Sequence, residues 1–452
     1  MKLWQKNTKV SGSVETFTVG KDREMDLLLA PFDVLGSIAH VTMLAEVGLL
    51  TQEEAVLINK ELRNIYRSIH DSLHEGVPGT FTIHEGVEDI HSQIEFMLTE
   101  KIGEAGKKIH SARSRNDQVL VDIKLFLRNE IRLLAEETEK LFRLLQEQSE
   151  KYKTHLLPGY THLQLAMPSS FGLWFGAYAE SLTDDMISLQ AAYKIVNKNP
   201  LGSAAGYGSS FPINRTLTTQ LLGFDDLNYN VVYAQMGRGK AERVTAMAMA
   251  NIADTLSRMS MDMCLYLNQN FDFVSFPAEL TTGSSIMPHK KNPDVFELIR
   301  SHANRIKALP NEIMMMTTNL PSGYHRDLQL LKEHLFPAFA TLRQCLQMAQ
   351  LMLSSIEIKT GIMQDTKYLY AFSVEEVNKL VLQGIPFRDA YKQVGMQIEE
   401  GKFKANAGQL QHTHEGSIGN LCNEQINAMM QQILTGFGFG KAEKAIQMLL
   451  ED

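Results

Sequence analysis

Apolar positions recur at helical spacing along most of the chain, and two stretches, 118–157 and 240–276, contain neither glycine nor proline. Helix breakers mark boundaries, so their absence predicts rods tens of ångströms long, at about 1.5 Å per residue. In the first stretch Ile123, Leu127, Ile131, Leu134, Leu141 and Leu145 follow steps of four and three, with Thr138 at the one polar step. Such a heptad-like seam packs helices side by side at a shallow crossing angle. Met247, Met249, Met259, Met261 and Met263 decorate the second stretch, where adaptable thioethers suit a crowded multi-helix centre. A third run, 327–360, carries Pro337 and predicts a bent rod.

Strand signals are few and short, 16–19 and 80–83 being the best, and nothing alternates long enough to build a sheet. The predicted class is all-α: a long central helical bundle flanked by two smaller, mainly helical domains. The glycine-containing charged stretch 100–108 closes the first domain and 360–366 opens the last, which gives 1–108, 109–360 and 361–452. The last domain is cut into short segments by Gly384, Pro386 and Gly395. Rods this long leave apolar side faces that one copy cannot cover, so a homo-oligomer is expected.

Composition narrows the partners. The 452 residues are 44% hydrophobic and 21% charged, with a net charge of -8. Both signs are interspersed, so the basic face of a nucleic-acid binder is absent and a small-molecule substrate is the expectation. Cys264, Cys345 and Cys422 are odd in number and far apart, which reads as reduced, buried thiols of a cytoplasmic protein rather than a disulfide or zinc framework. Residues 1–10 are polar and basic without the apolar centre of a secretory leader. The apolar stretch 246–267 contains Asp254, Arg258 and Asp262, costly in a bilayer, and no membrane span is expected.

Candidate chemistry sits between the rods. In Gly283-Ser284-Ser285-Ile286-Met287-Pro288-His289-Lys290-Lys291-Asn292-Pro293-Asp294, Asn292 is placed to cap a helix, Pro293 to open it and Asp294 to favour its positive end. The first half is either a solvated linker or a hydroxyl-bearing loop beside a positive field that binds carboxylates and eases ionisation of a serine. The segment from Leu157 to Pro168 holds Thr161 and His162; a lone histidine in a turn is usually structural. In Ile109-His110-Ser111-Ala112-Arg113-Ser114-Arg115-Asn116-Asp117-Gln118, alternating arginines form either an exposed basic turn or a set of forked carboxylate donors.

Gly-Ser-Ser-x-Met-Pro-x-Lys-x-Asn-Pro resembles the signature of the fumarase/aspartase superfamily at every fixed position, and the Arg113–Gln118 string resembles its argininosuccinate lyase branch. The resemblance implies a fumarase/aspartase-like fold and a fumarate-releasing elimination with no cofactor and no metal. It places Ser284 as catalytic base, Lys290 and Asn292 beside Ser285 as carboxylate-binding groups, and Thr161 and His162 at the substrate, with Glu297 orienting the histidine. Ser114, Arg115 and Asn116 would hold the succinyl carboxylates, and Asp89 and His91 of Glu88-Asp89-Ile90-His91 would line the pocket. Asn199 to Ala204 resembles the family's glycine-rich turn. Tyr324, Gln329 and Lys332 would read the amino-acid end, and Arg238 lies where relatives place a binding arginine. Related enzymes assemble each site from three subunits of a homotetramer.

Three departures are visible: Met167 stands where relatives often have glutamine, Trp4-Gln5-Lys6 replaces a Trp-Gly-Gly-Arg-Phe start, and Leu330-Leu331 stand where acidic residues are common. His84, His91, His110, His412 and His414 show no ligand spacing. Two other readings stay open here: a different fumarate-releasing lyase of the superfamily, adenylosuccinate lyase-like, and a catalytically silent, crystallin-like homologue.

Overall fold

The computed structural model describes residues 11–74, 81–84, 86–405, 410 and 412–451. Trp4, Gln5 and Lys6, and Thr80 of one expected strand, lie outside the described residues. The amino-terminal helices are α1 (Gly12–Val19), α2 (Asp22–Glu46), α3 (Gln52–His74), α4 (Ile90–Ile102) and the single turn α5 (Glu104–Lys107). The long rods are α6 (Arg115–Lys151), α7 (Phe171–Val196), α10 (Lys240–Leu267), α11 (Asp294–Met316) and α12 (Leu331–Ser354), with short α8 (Arg215–Leu221) and α9 (Val231–Met236) between. The chain ends in α13 (Ser373–Leu382), α14 (Phe387–Glu399), α15 (Asn423–Thr435) and α16 (Phe439–Leu450).

The five rods form a closed set: α6 packs on α7, α7 on α10, α10 on α11, α11 on α12, and α12 returns to α6. Every position of the α6 seam is buried, and the Thr138 hydroxyl donates to the Leu134 carbonyl at 2.8 Å, so its polar atom is satisfied inside the core. Met249, Met259 and Met263 are buried as expected, whereas Met247 and Met261 lie exposed on the single chain. Leu298 and Met315 of α11 are likewise 61% and 64% exposed.

A second apolar cluster joins α2, α3 and α4 to the start of α6 through Val121 and Leu125, and takes in Leu449 of α16. α2 approaches α6 closely at Gly36, where a Cβ would sit 3.2 Å from the Val121 side chain. Among the described residues, α2 alone is long and apolar enough to cross a membrane, yet 72% of that stretch is buried in the molecule and it includes the buried Asp26 and Asp33. Cys345 is buried, while Cys264 and Cys422 are partly buried free thiols.

Several local expectations give way to specific contacts. The expected strand at 16–19 is the end of α1, whose Thr16 and Thr18 hydroxyls donate to the carbonyls four residues back. Residues 81–83 form no strand, and Phe81 lies in a bend. The rods end sooner than the breaker-free runs: the Asn268 side chain accepts from the N–H groups of Asn270 and Phe271 and turns the chain after α10, while 326–330 form a 3-10 turn before α12. α12 runs through Pro337. Asn292 does not cap α11; Pro293 holds that position, and Asn292 pairs with Thr282 in a two-residue antiparallel ladder. The longest strands among the described residues form the hairpin β1 (Leu156–Thr161) and β2 (Gln164–Ser170). Pro158, Gly159 and Pro168 hide it, since they interrupt any alternating pattern.

Truncating the seam should be costly. Leu141→Ala is expected to destabilise the fold by about 2–5 kcal/mol, read as a lowered midpoint in denaturant unfolding, with an unchanged midpoint arguing that the seam can collapse around the cavity.

Candidate active site

The start of α6 is fixed by reciprocal bonds. Ser114 Oγ accepts from the Asn116 N–H at 3.2 Å and the Ser114 N–H donates to Asp117 at 2.9 Å. The other Asp117 oxygen accepts from Gly202 and Ala204 N–H at 2.9 and 2.8 Å, tying the glycine-rich turn to the same helix end. Arg115 and Asn116 are thereby held at the rim of a cavity of about 190 Å³, which is also lined by Asp22, Asp26, Glu88, Asp89, His91, Arg238, Tyr324, Arg326, Gln329 and Lys332. Seven residues expected at the site from three separate segments, together with Arg238, thus meet within one chain: Asp89, His91, Arg115, Asn116, Tyr324, Gln329 and Lys332.

Their contacts show how each is held. Asp89 caps α4, accepting from the Ser92 N–H at 2.8 Å and its hydroxyl at 2.6 Å. Burial would raise the Asp89 pKa, but His91, Arg115 and the Ser92 bonds outweigh it and hold the carboxyl below its usual range. Arg115 reaches Glu88 at 3.2 Å, Asp89 at 3.0 Å and the Ser92 hydroxyl at 2.7 Å. Buried Arg238 is braced by Glu242 at 2.7 Å and donates to the Leu328 carbonyl at 2.9 Å. Gln329 donates to the Thr18 and Val19 carbonyls at 3.1 and 3.2 Å, clamping the 322–330 loop to the end of α1. Lys332, buried, pairs with Asp22 and, at 2.5 Å, with Asp26; burial opposes its charge, and the two aspartates keep its pKa above the ordinary value.

Behind the cavity, His91 Nδ1 lies 3.0 Å from Asp33 and 3.5 Å from Asp122, all three buried. These are the one set among the described residues whose ligand atoms could surround a cation, lying within 4.8 Å of one another. Burial works against a charged imidazole, but Asp33, Asp89 and Asp26 outweigh it and raise the His91 pKa. Burial and the neighbouring Asp33 drive the Asp122 pKa well above its usual value.

Asp22, Asp26, Asp33, Asp122, Glu88 and Arg326 went unassigned in the sequence reading. A signal existed: Asp22, Asp26 and Asp33 fall on one face of an otherwise apolar helix, and buried carboxylates there require partners.

The remaining expected residues lie elsewhere on the chain. Ser284 opens an exposed loop closed by the Thr282–Gly283 and Lys291–Asn292 ladder, and its Oγ accepts from the Ile286 and Met287 N–H groups at 3.3 and 3.0 Å. Ser285 and Lys290 are exposed, and Asn292 donates to the Gly283 carbonyl at 3.4 Å. Thr161 and His162 sit exposed at the tip of the β1/β2 hairpin, where His162 and Leu163 both hold positive φ, 54° and 58°. That conformation costs non-glycine residues on the order of 1 kcal/mol or more each, and it is what the two central positions of a two-residue hairpin turn require. Glu297 lies exposed in the first turn of α11, and no hydrogen bond or ion pair joins it to His162 among the described residues. His412 instead pairs with Glu375 at 2.9 Å in the last part of the chain.

A long-helix body with a charge-balanced polar cavity at the head of its longest rod is the build of an all-α lyase, and the lyase family profile matches residues 3–307. The argininosuccinate lyase of Bacteroides fragilis is 61% identical over 449 residues, covering 99% of both chains. That of Thermotoga neapolitana is 37% identical over 393 residues, covering 87% of this chain and 97% of its own. The chain belongs to the argininosuccinate lyase family. EDDS lyase in complex with formate superimposes with a TM-score of 0.75 at 22% identity, covering 98% of this chain and 95% of that one. The class II fumarase of Schistosoma mansoni gives 0.68 at 15%, covering 96% and 97%; both likenesses are of fold.

The cavity's charges also shape the pH response. Burial and the adjacent Asp26 push Asp22 up to about 6, against Lys332 and Arg238; burial likewise takes Asp117 and Asp185 to about 6. A folded-state pKa above the ordinary 3.8 stabilises the fold below that value and is lost as pH rises through about 6. Melting temperature should therefore decline over that window, and Asp22→Asn should flatten part of the decline; an unaltered slope in the variant would contradict the charge assignment.

Proposed function

We propose that this protein is a carbon–nitrogen lyase that splits argininosuccinate reversibly into L-arginine and fumarate in arginine biosynthesis, working in the cytoplasm as a homotetramer without cofactor. The observation that carries the reading is the convergence of Asp89, His91, Arg115, Asn116, Tyr324, Gln329 and Lys332 on one cavity in a chain 61% identical to argininosuccinate lyases over nearly its whole length.

The reaction breaks a C–H bond beside a carboxylate, a weak carbon acid, and then a C–N bond. It needs an aligned base, groups that stabilise the dianionic aci-carboxylate, and an acid for the departing nitrogen. Ser284 takes the proton. The two backbone N–H groups on its Oγ support the alkoxide form. Lys290, Asn292, Ser285 and Arg115, with Ser114 and Asn116, hold the carboxylates; Thr161 contacts substrate. The electron pair of the C–H bond becomes the C=C bond of fumarate as the C–N pair leaves with guanidino nitrogen, which takes a proton from a His162-linked acid oriented by Glu297.

Within one chain the serine loop, the hairpin tip and the cavity are separate, which supports a site assembled from several copies. The apolar residues left exposed on α10 and α11, Met247, Met261, Leu298 and Met315, are the faces such copies would cover. The division at 108 and 360 stays part of this reading; the small cluster of Val377, Ala390, Val394 and Phe403 lies wholly in the last part, whereas the amino-terminal cluster crosses 108 through Ile109 to Leu125 and the central one crosses 360 through Ile362 to Phe372.

Ser284→Ala should abolish fumarate formation, followed by its ultraviolet absorbance, while argininosuccinate binding by calorimetry persists; near-normal turnover would sink the serine's role. Mixed oligomers of Ser284→Ala and His162→Asn chains, each inactive alone, should recover part of the activity, whereas consistently dead mixtures would count against shared sites.

A further inference from the structure

The cations of the cavity differ in where their counter-ions sit. Arg115 is met by Glu88 and Asp89 and Lys332 by Asp22 and Asp26, all of them in the cavity wall. Arg238 is braced by Glu242 and by the Leu328 carbonyl. His91 is arranged otherwise: its Nδ1 is turned to Asp33 and Asp122, which do not line the cavity, and this leaves Nε2 as the ring nitrogen on the cavity side. Asp33 is itself fixed by a 2.7 Å bond from Gln118 Nε2, and the close approach of α2 to α6 at Gly36 brings Asp33 and Asp122 to one point.

We propose that Asp33 and Asp122 are positioning residues for the binding cavity: from behind its wall they orient the His91 ring and keep it cationic, so that Nε2–H donates to a substrate carboxylate. The inference rests on the substrate-binding reading of the cavity given above. A neutral imidazole with Nδ1 bonded to a carboxylate would carry its proton on Nδ1 and offer a lone pair at Nε2, which repels a carboxylate; only the doubly protonated ring donates on both sides. The charged neighbours facing the ring are Asp22, Asp26 and Asp33 from α2, Asp89 from the head of α4, His110, Arg113, Arg115 and Asp122 around the head of α6, and Lys332 from α12. Burial drives His110 down to about 4, so it adds no opposing charge near neutrality. Asp33 is the ionised partner, held below its ordinary pKa by His91, Arg113 and Gln118 despite burial. Asp122, beside it, is a second carboxylate whose pKa burial and Asp33 raise well above its ordinary value.

The test uses the full-length protein and its Asp33→Asn and Asp122→Asn variants, followed by fumarate release across pH and by ring-labelled histidine NMR, with His91→Gln assigning the His91 resonance. Asp33→Asn should raise KM for argininosuccinate about tenfold or more with a much smaller change in kcat, the scale of a lost charge-assisted hydrogen bond. The alkaline limb of kcat/KM and the His91 titration should both move to lower pH by about one unit or more. Asp122→Asn should move them in the same direction by less, since that carboxylate lies 3.5 Å from Nδ1 against 3.0 Å for Asp33, and it keeps the proposal testable if Asp33→Asn fails to fold. A folded variant with unchanged KM and unchanged alkaline limb, in a preparation whose parent releases fumarate, overturns the proposal. A parent that releases no fumarate overturns the lyase reading instead, and the histidine titration then still decides whether Asp33 holds the ring charged.

Discussion

The head of α6 is the constraint from which the site follows. Ser114 and Asp117 close the first turn on each other, and Asp117 reaches across to the Gly202 and Ala204 amides. One buried carboxylate therefore caps the longest rod and anchors the glycine-rich turn. The first turns of that rod belong to the amino-terminal apolar cluster through Val121 and Leu125, and the rest belongs to the central bundle through the Ile123–Leu145 seam. Any shift of α6 would be paid for in both cores, so the backbone carrying Arg115 and Asn116 is held rigidly at the place where the 322–330 loop and α2 arrive.

Around that fixed point the cavity is built from paired charges. Arg115 and Lys332 have acidic partners in the cavity wall, and Arg238 and His91 have theirs outside it, as burial of charge demands. α2 contributes the acids from one face while burying the rest of its length in apolar packing. The serine loop and the hairpin tip are built on the opposite principle. Both are exposed, short-ranged and shaped by their own backbone: a two-residue ladder around the Ser284 loop and a positive-φ pair at His162 and Leu163. The cavity holds Asp89, His91, Arg115, Asn116 and Lys332, while the exposed loops carry Ser284 and His162, for which proton transfer is proposed.

α6, α10 and α12 were legible because helical spacing over runs of thirty or more residues is a strong and local signal, and each expected seam residue of α6 is buried. The β1/β2 hairpin was not legible, since Pro158 and Pro168 face each other across it and Gly159 sits at its irregularity. The strand expected at 16–19 failed for the complementary reason: β-branched Thr16 and Thr18 satisfy their hydroxyls within a helix. Asn292 was misplaced as a cap because the pull of the Thr282–Gly283 ladder lies outside any local rule.

The motifs by themselves determined the family, the all-α class and the candidate residues, because spacing along the chain is preserved in short segments whatever surrounds them. Tertiary structure alone decided which of those residues meet. Asp89, His91, Arg115, Asn116, Tyr324, Gln329 and Lys332 share a cavity because α2, α4, α6 and α12 converge there, while Ser284 and His162 are carried to other ends of the rods. It also decided the charges: Asp22, Asp33 and Asp122 are ordinary aspartates in the sequence, yet burial and Asp26 push Asp22 up to about 6, His91 holds Asp33 below its usual value despite burial, and burial beside Asp33 raises Asp122 well above it. Burial and neighbours far apart in the chain set a pKa, and neither is written in the order of the residues.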